Sequence, residues 1–207
     1  MKRVAIFLRK DVVNKFRRAI IETLKSEEVD EALLCSGFFQ HTHNYQAGLD
    51  LDISKHRNST PLKLTVMGIY SYTWKQQYID FFNQLSAINA GGLFSATQKK
   101  MKGMRWHAKV FIAKKHSNPL VAIIGSSNIT SRAFGEHASF NYECDVIFWE
   151  EKNSRVNRII ESVIGDDGDS SGVIVTNYDE SHRVNQLPLE KRLLNLEKEI
   201  LARSVDF

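Results

Sequence analysis

Cysteine is scarce in this chain, with two in 207 residues. Both Cys35 and Cys144 sit in apolar stretches, which argues against a disulfide framework and for reduced core residues of an intracellular protein. Long apolar runs are also missing. The N-terminal MKRVAIFLRKD holds five apolar residues in a row, too few for a signal-peptide core. No other stretch approaches the length of a membrane span. The expectation is a soluble, cytoplasmic chain with no membrane partner. Charge of one sign barely dominates: 28 Lys and Arg against 24 Asp and Glu leave +4, which permits a polyanionic partner without requiring one. There is no internal repeat and no low-complexity tract. Metal-ligand clusters are lacking too. His41-Thr-His43, followed by His56, has no Cys or carboxylate at matching spacing and reads as a solvated loop, so neither metal nor cofactor is expected.

What is present is enough apolar material, 43% of residues, for one domain with a sizeable core. Strands are expected at Val4 to Leu8, within EALLCSGFF (31–39) and within PLKLTVMGIY (61–70). Further strands are expected at 107–113, 120–125 and 142–149. Helical spacing places Val13, Phe16, Ile20 and Leu24 on one face of a helix from Asp11, its expected cap, to Lys25. The same spacing places Ile79, Phe82, Leu85 and Ile88 on a helix stopped by Gly91-Gly92. EKNSRVNRIIESVIG closes the alternating pattern, which implies an α/β sandwich with a central sheet flanked by helices. Beyond residue 165 the turn-rich GDDGDSSG marks a boundary. Residues 1–165 are therefore expected to form the main domain and 166–207 a linker with a short strand, VIVTNY, and a C-terminal helical extension. There Leu189, Leu193, Leu196 and Ile200 form one seam, read as core packing ahead of a partner contact.

The chemistry-bearing stretch is RWHAKVFIAKK (105–115). Alternation along a strand brings His107 and Lys109 to one side. The next apolar strand, LVAII, ends in Gly125-Ser126-Ser127-Asn128, a small polar loop able to wrap an anion. His107-x-Lys109, Gly125-Ser126-x-Asn128 and the downstream Glu143 of NYECDV together resemble the phospholipase D superfamily. The wording HAKVFIA, IIGSSNIT and NYECDV is most similar to its restriction endonuclease branch, the BfiI and NgoFVII types. LLCSGFF resembles the early Ser-Gly-Phe strand of that branch, and the tail past residue 165 carries no resemblance. The superfamily has Asp five residues after the motif lysine. Here that position is Lys114, a departure the restriction branch shares and one that speaks against a lipase.

The resemblance implies a phospholipase D-like fold and metal-independent cleavage of a phosphodiester. In that chemistry Lys109 and Asn128 neutralise and bind the phosphate, with Ser126 adding a hydroxyl. His107 attacks through Nε2 while an acceptor, Glu143 by resemblance and Asp145 as competitor, holds its Nδ1–H. Because the chain has one His-x-Lys where the superfamily site uses two, a homodimer sharing one site is implied. Lys99, Lys100, Lys102 and Arg105 read either as phosphate contacts or as an ordinary solvated loop. Phe38, Phe39, Tyr70, Tyr72 and Trp74 are base-stacking candidates, with core packing favoured for most. The leading expectation is a DNA endonuclease in restriction or defence. Alternatives are a related phosphodiesterase acting on lipid or RNA, and a nucleic-acid-binding subunit that needs a partner. No sequence-reading DNA module is recognisable, so a separate recognition domain or subunit is also expected as a partner.

Overall fold

A computed structural model describes residues 2–51, 57–69, 74–88, 91–102, 107–165 and 172–207. Its elements run β1 (Lys2–Leu8), α1 (Lys15–Lys25), β2 (Glu31–Cys35), β3 (His41–Thr42), β4 (Tyr45–Gln46), α2 (Ala47–Asp50), β5 (Leu62–Ile69), α3 (Lys75–Ser86) and β6 (Phe94–Met101). They continue with β7 (Lys109–Lys115), β8 (Asn118–Gly125), β9 (Cys144–Glu150), α4 (Ser154–Gly165), β10 (Val173–Asn177), α5 (Leu189–Ala202) and β11 (Ser204–Asp206).

Nine strands form one mixed sheet in the order β10-β1-β9-β8-β7-β2-β5-β6-β11. The pairs β2·β5 and β5·β6 are parallel and the others antiparallel. Central strands such as β7, KVFIAKK, are buried at every position but the last, as expected of strands covered on both faces. On one face Phe16, Ile20 and Leu24 of α1, Tyr78, Phe81 and Leu85 of α3, and Val156, Ile160 and Val163 of α4 cover the sheet. On the other face α5 lays Leu189, Leu193 and Ile200 against Leu33, Cys35, Met67, Val110 and Ile112, with Leu196 packed alongside. The result is the expected α/β sandwich, a large mixed sheet between helices.

Several expectations need correction. The cap of α1 is Asn14, whose side chain accepts from Arg17 N–H; Asp11 instead accepts from Val13 N–H at 2.8 Å, outside the helix. The buried face of α3 is Tyr78, Phe81 and Leu85, which is equally helical in spacing. Tyr78 can be buried because its hydroxyl donates to the Val66 and Lys99 carbonyls at 3.0 and 2.7 Å. Cys144 is exposed at the start of β9, whereas Cys35 is buried. The first half of the basic run is no loop: Lys99 and Lys100 belong to β6, a polar strand paired with β5 over eight residues, and Lys102 follows in a bend. The chain after 171 supplies both edge strands of the sheet as well as α5.

Candidate active site

Strand register assembles the site. Lys109 of β7 pairs with Gly125 of β8, and Gly125 pairs with Asp145 of β9, so the three form a row across one end of the sheet. Gly125 is required there. A Cβ on it would lie 1.9 Å from Asp145 Oδ1 and 2.7 Å from Asp145 Cα, so any side chain would part β8 from β9.

His107 lies two residues before β7 rather than within it, and it is exposed. The pairing with Lys109 survives by direct contact: Lys109 Nζ donates to the His107 carbonyl at 2.7 Å and sits 2.8 Å from His107 Nδ1. Lys109 is 3% exposed. Burial pulls its pKa down, against the pull of Glu143 and Asp145. A cation kept this dry gives up little hydration when an anion reaches it, and its field is poorly screened.

Asn128 is oriented by the loop that follows β2. Its Oδ1 accepts from Phe38 N–H at 3.1 Å and lies 3.3 Å from Ser36 Oγ, leaving Nδ2 as the end offered to a ligand. Ser36 is buried and also accepts from Ile129 N–H at 3.1 Å. Ser36 and Phe38 thus position Asn128, a role whose one trace in the sequence is the Ser-Gly-Phe resemblance.

Ser126 donates a short hydrogen bond to Glu143 Oε2 and accepts from Cys144 N–H at 3.0 Å. The other oxygen of Glu143 accepts from Asn141 Nδ2 at 3.1 Å. Glu143 is thus engaged by Ser126 and Asn141, and among the described residues the polar neighbour of His107 Nδ1 is Lys109. Asp145 is buried, accepting from Ser127 Oγ at 2.6 Å and Ser127 N–H at 3.2 Å, which ties the loop bearing Asn128 to β9.

Arg9, just past β1, was also missed. It is 8% exposed and donates to the carbonyls of Asp11, Val12, Arg132, Ala133 and Gly135 at 2.9–3.2 Å. Its own N–H bonds the Glu143 carbonyl at 2.9 Å. Burial lowers its pKa. Arg9 therefore binds together the ends of the long loop that separates Asn128 from Glu143. A lone Arg in sequence carries no sign of this, because the partners that reach the loop, the carbonyls of Arg132, Ala133 and Gly135, are main-chain groups distant in the chain.

The basic run lies at the same end of the sheet as the row, three strands from β7, or about 14 Å at ordinary strand spacing. Lys99 shares a register row with Met67, Cys35 and Val110. Its ammonium pairs with Asp206 Oδ1 at 2.7 Å, and Lys100 Nζ lies 5.4 Å from the Phe207 ring centroid. Lys102 is exposed. Arg105 lies outside the described residues, as do His56, Tyr70 and Tyr72. Among the described residues no group of three His, Cys, Asp or Glu could hold a metal, and no helix is long and apolar enough to cross a membrane.

A mixed sheet carrying His-x-Lys and Gly-Ser-x-Asn on adjoining strand ends, with a dry lysine, defines a phosphate-handling α/β domain. Residues 15–166 match the NgoFVII restriction endonuclease N-terminal PLD domain. The chain belongs to that family, and is a phospholipase D-superfamily phosphodiesterase or nuclease domain. No curated protein matches the sequence. Among solved structures it is similar to NucT from Helicobacter pylori, with 15% identity over 78% of this chain and 98% of that one and a TM-score of 0.43. It is also similar to phosphatidylserine synthase of Haemophilus influenzae Rd KW20, with 12% identity, 98% and 47% coverage and a TM-score of 0.46. Yeast tyrosyl-DNA phosphodiesterase follows with 13% identity, 70% and 31% coverage and a TM-score of 0.34.

Proposed function

We propose that this chain is a metal-independent endonuclease that hydrolyses DNA phosphodiester bonds through a phosphohistidine on His107, in a site shared by two copies of the chain, and that it serves restriction or another defence role in the cytoplasm. The carrying observation is the contact between His107 and the buried Lys109, whose charge supplies at the phosphate what a metal would otherwise supply. Asn128 Nδ2 and the Ser126 hydroxyl add donors, and Lys99, Lys100, Lys102 and Arg105 bind flanking phosphates. Residues 1–165 form the nuclease unit and 166–207 extend it, with target choice left to a separate recognition domain or subunit.

Sharing of the site is supported by the proton inventory within one chain. The reaction needs a nucleophilic imidazole and a separate acid, and the chain has one His-x-Lys. The acid is therefore assigned to His107 of a second chain, and the Nδ1–H to Glu143, which keeps lone pairs beside its bonds from Ser126 and Asn141. In the first step Nε2 of one His107 forms a bond to phosphorus while the P–O bond to the leaving sugar breaks; the imidazolium of the other His107 protonates the departing oxygen. In the second step that now neutral imidazole takes a proton from water, the water oxygen attacks phosphorus, and the P–N bond breaks.

The test is to incubate the purified chain, in EDTA, with DNA and in parallel with phospholipid vesicles, to trap the adduct under denaturing alkaline conditions, and to measure mass by light scattering. DNA cleavage, phosphate on His107, loss of both in His107→Ala and a two-chain mass are expected. Cleavage of lipid alone, activity that needs added Mg²⁺, or a fully active species of 23.7 kDa would refute the corresponding part.

A further inference from the structure

One aromatic ring, Phe38, stands beside the candidate nucleophile, and a second, Trp74, packs against it. The Phe38 ring lies 6.2 Å from the His107 ring, edge to face at 76°, and 4.9 Å from the Trp74 ring, at 38°. Both Phe38 and Trp74 are half-buried, whereas the adjacent Phe39 is 1% exposed and packs on Tyr78 and Phe81. One phenylalanine of the pair thus builds the core while the other is held at the site. Phe38 is also fixed from behind, because its backbone N–H donates to Asn128 Oδ1. Aromatic carbon does nothing for a phosphate, which calls for cations and hydrogen-bond donors. What it offers is a π-face at the distance of the nucleoside next to the phosphate.

We infer that Phe38 and Trp74 form a stacking platform for an unpaired base flanking the scissile phosphate, so that the preferred substrate is single-stranded DNA. The inference rests on the nuclease reading above but not on its restriction role, which acts on duplex DNA. In a duplex both faces of each base are covered by its neighbours, so a platform within one nucleotide of the reacting phosphorus has nothing to stack on until the strand is open. Stacking of this kind tolerates any base, and it confers a preference for strand state rather than for sequence.

The experiment compares oligodeoxythymidylate, a duplex of the same length and an abasic oligomer of that length, with the unmodified protein, Trp74→Ala and Trp74→Phe. For the unmodified protein, KM on the single strand should be about tenfold below that on the duplex. Trp74→Ala should raise KM on the single strand roughly tenfold, with kcat changing much less, and Trp74→Phe should restore most of the loss. On the abasic oligomer the penalty of Trp74→Ala should shrink to at most about twofold, which a folding defect would not do. Equal KM for single strand and duplex, or an equal Trp74→Ala penalty with and without bases, overturns the platform. If no DNA is cleaved at all, the nuclease reading fails separately. Quenching of a 2-aminopurine oligomer on binding, lost in Trp74→Ala, then still supports the platform, and absence of quenching overturns it.

Discussion

Asp145 is 2% exposed. Burial, helped by Glu143 two residues earlier, pushes its carboxyl up to about 6 from 3.8, against the hydrogen bonds from Ser127. Because the folded-state value is the higher one, the folded protein binds the extra proton between those limits. The stability this contributes is complete below about 3.8 and is lost as pH rises through about 6. A shift of about 2 units corresponds to roughly 3 kcal/mol. Asp145→Asn, which cannot ionise, should therefore gain about that much on the unmodified protein between pH 4 and pH 7, read from urea unfolding at both values. Parallel pH dependences in the two proteins would show that Asp145 carries no such penalty. Lys109 sits in the same register row with its pKa pulled down by burial. The row thus holds two ionisable groups out of water, which is how such groups are made sensitive to a ligand's charge.

Among the elements, α5 shows most directly how a departure from the superfamily pattern is put to use. Lys114 stands where the superfamily has Asp, and its ammonium pairs with Glu197 of α5 at 2.8 Å and with Glu31 of β2 at 2.9 Å. Lys114 and Glu197 are both buried, at 9% and 8% exposure. Burial by itself would lower the Lys114 pKa, but the two carboxylates outweigh it and raise the value. The triad ties α5 across β7 and β2 while Leu189, Leu193 and Ile200 cover the sheet. Glu197→Gln removes one carboxylate and keeps the volume, leaving Lys114 with the more exposed Glu31. It should cost about 2 kcal/mol, seen as a lower urea midpoint at unchanged m-value. An unchanged midpoint would mean that apolar packing alone holds α5. The apolar seam of α5 was readable from its four-three-four spacing, but its ionic tether was not, because Lys114 and Glu197 are 83 residues apart and meet only across the folded sheet.

At the scale of the whole molecule, the terminal strand β11 pairs with the strand that carries the basic run and sets Asp206 against Lys99. Lys99 is already compensated, so it releases fewer counterions on DNA than an open lysine. Replacing Lys99, Lys100 and Lys102 together by Ala should flatten the slope of log affinity against log salt by less than the roughly 2.1 expected on single strands for three full phosphate contacts. Asp206→Asn should steepen the slope by about 0.7 as Lys99 becomes available. Fluorescence anisotropy across a salt series checks both. An unchanged slope in the triple variant would return the run to the role of a solvated surface.

The sequence alone determined the α/β class and most strand positions, because periodicity is a local property, and it was the resemblance to a known family that singled out His107, Lys109, Ser126, Asn128 and Glu143. Periodicity misled where two helical faces were equally apolar, as in α3, and where a paired strand was polar, as in β6. Only the tertiary structure decided which way Asn128 presents its amide, that Glu143 is engaged by Ser126 and Asn141, that Arg9 joins the ends of a long loop, and that the tail supplies both sheet edges. Apart from Glu143, which is held by side chains, each of those depends on contacts between segments far apart in the chain, made through backbone carbonyls, N–H groups and register, and such groups are present at every residue and so leave no mark in the order of side chains.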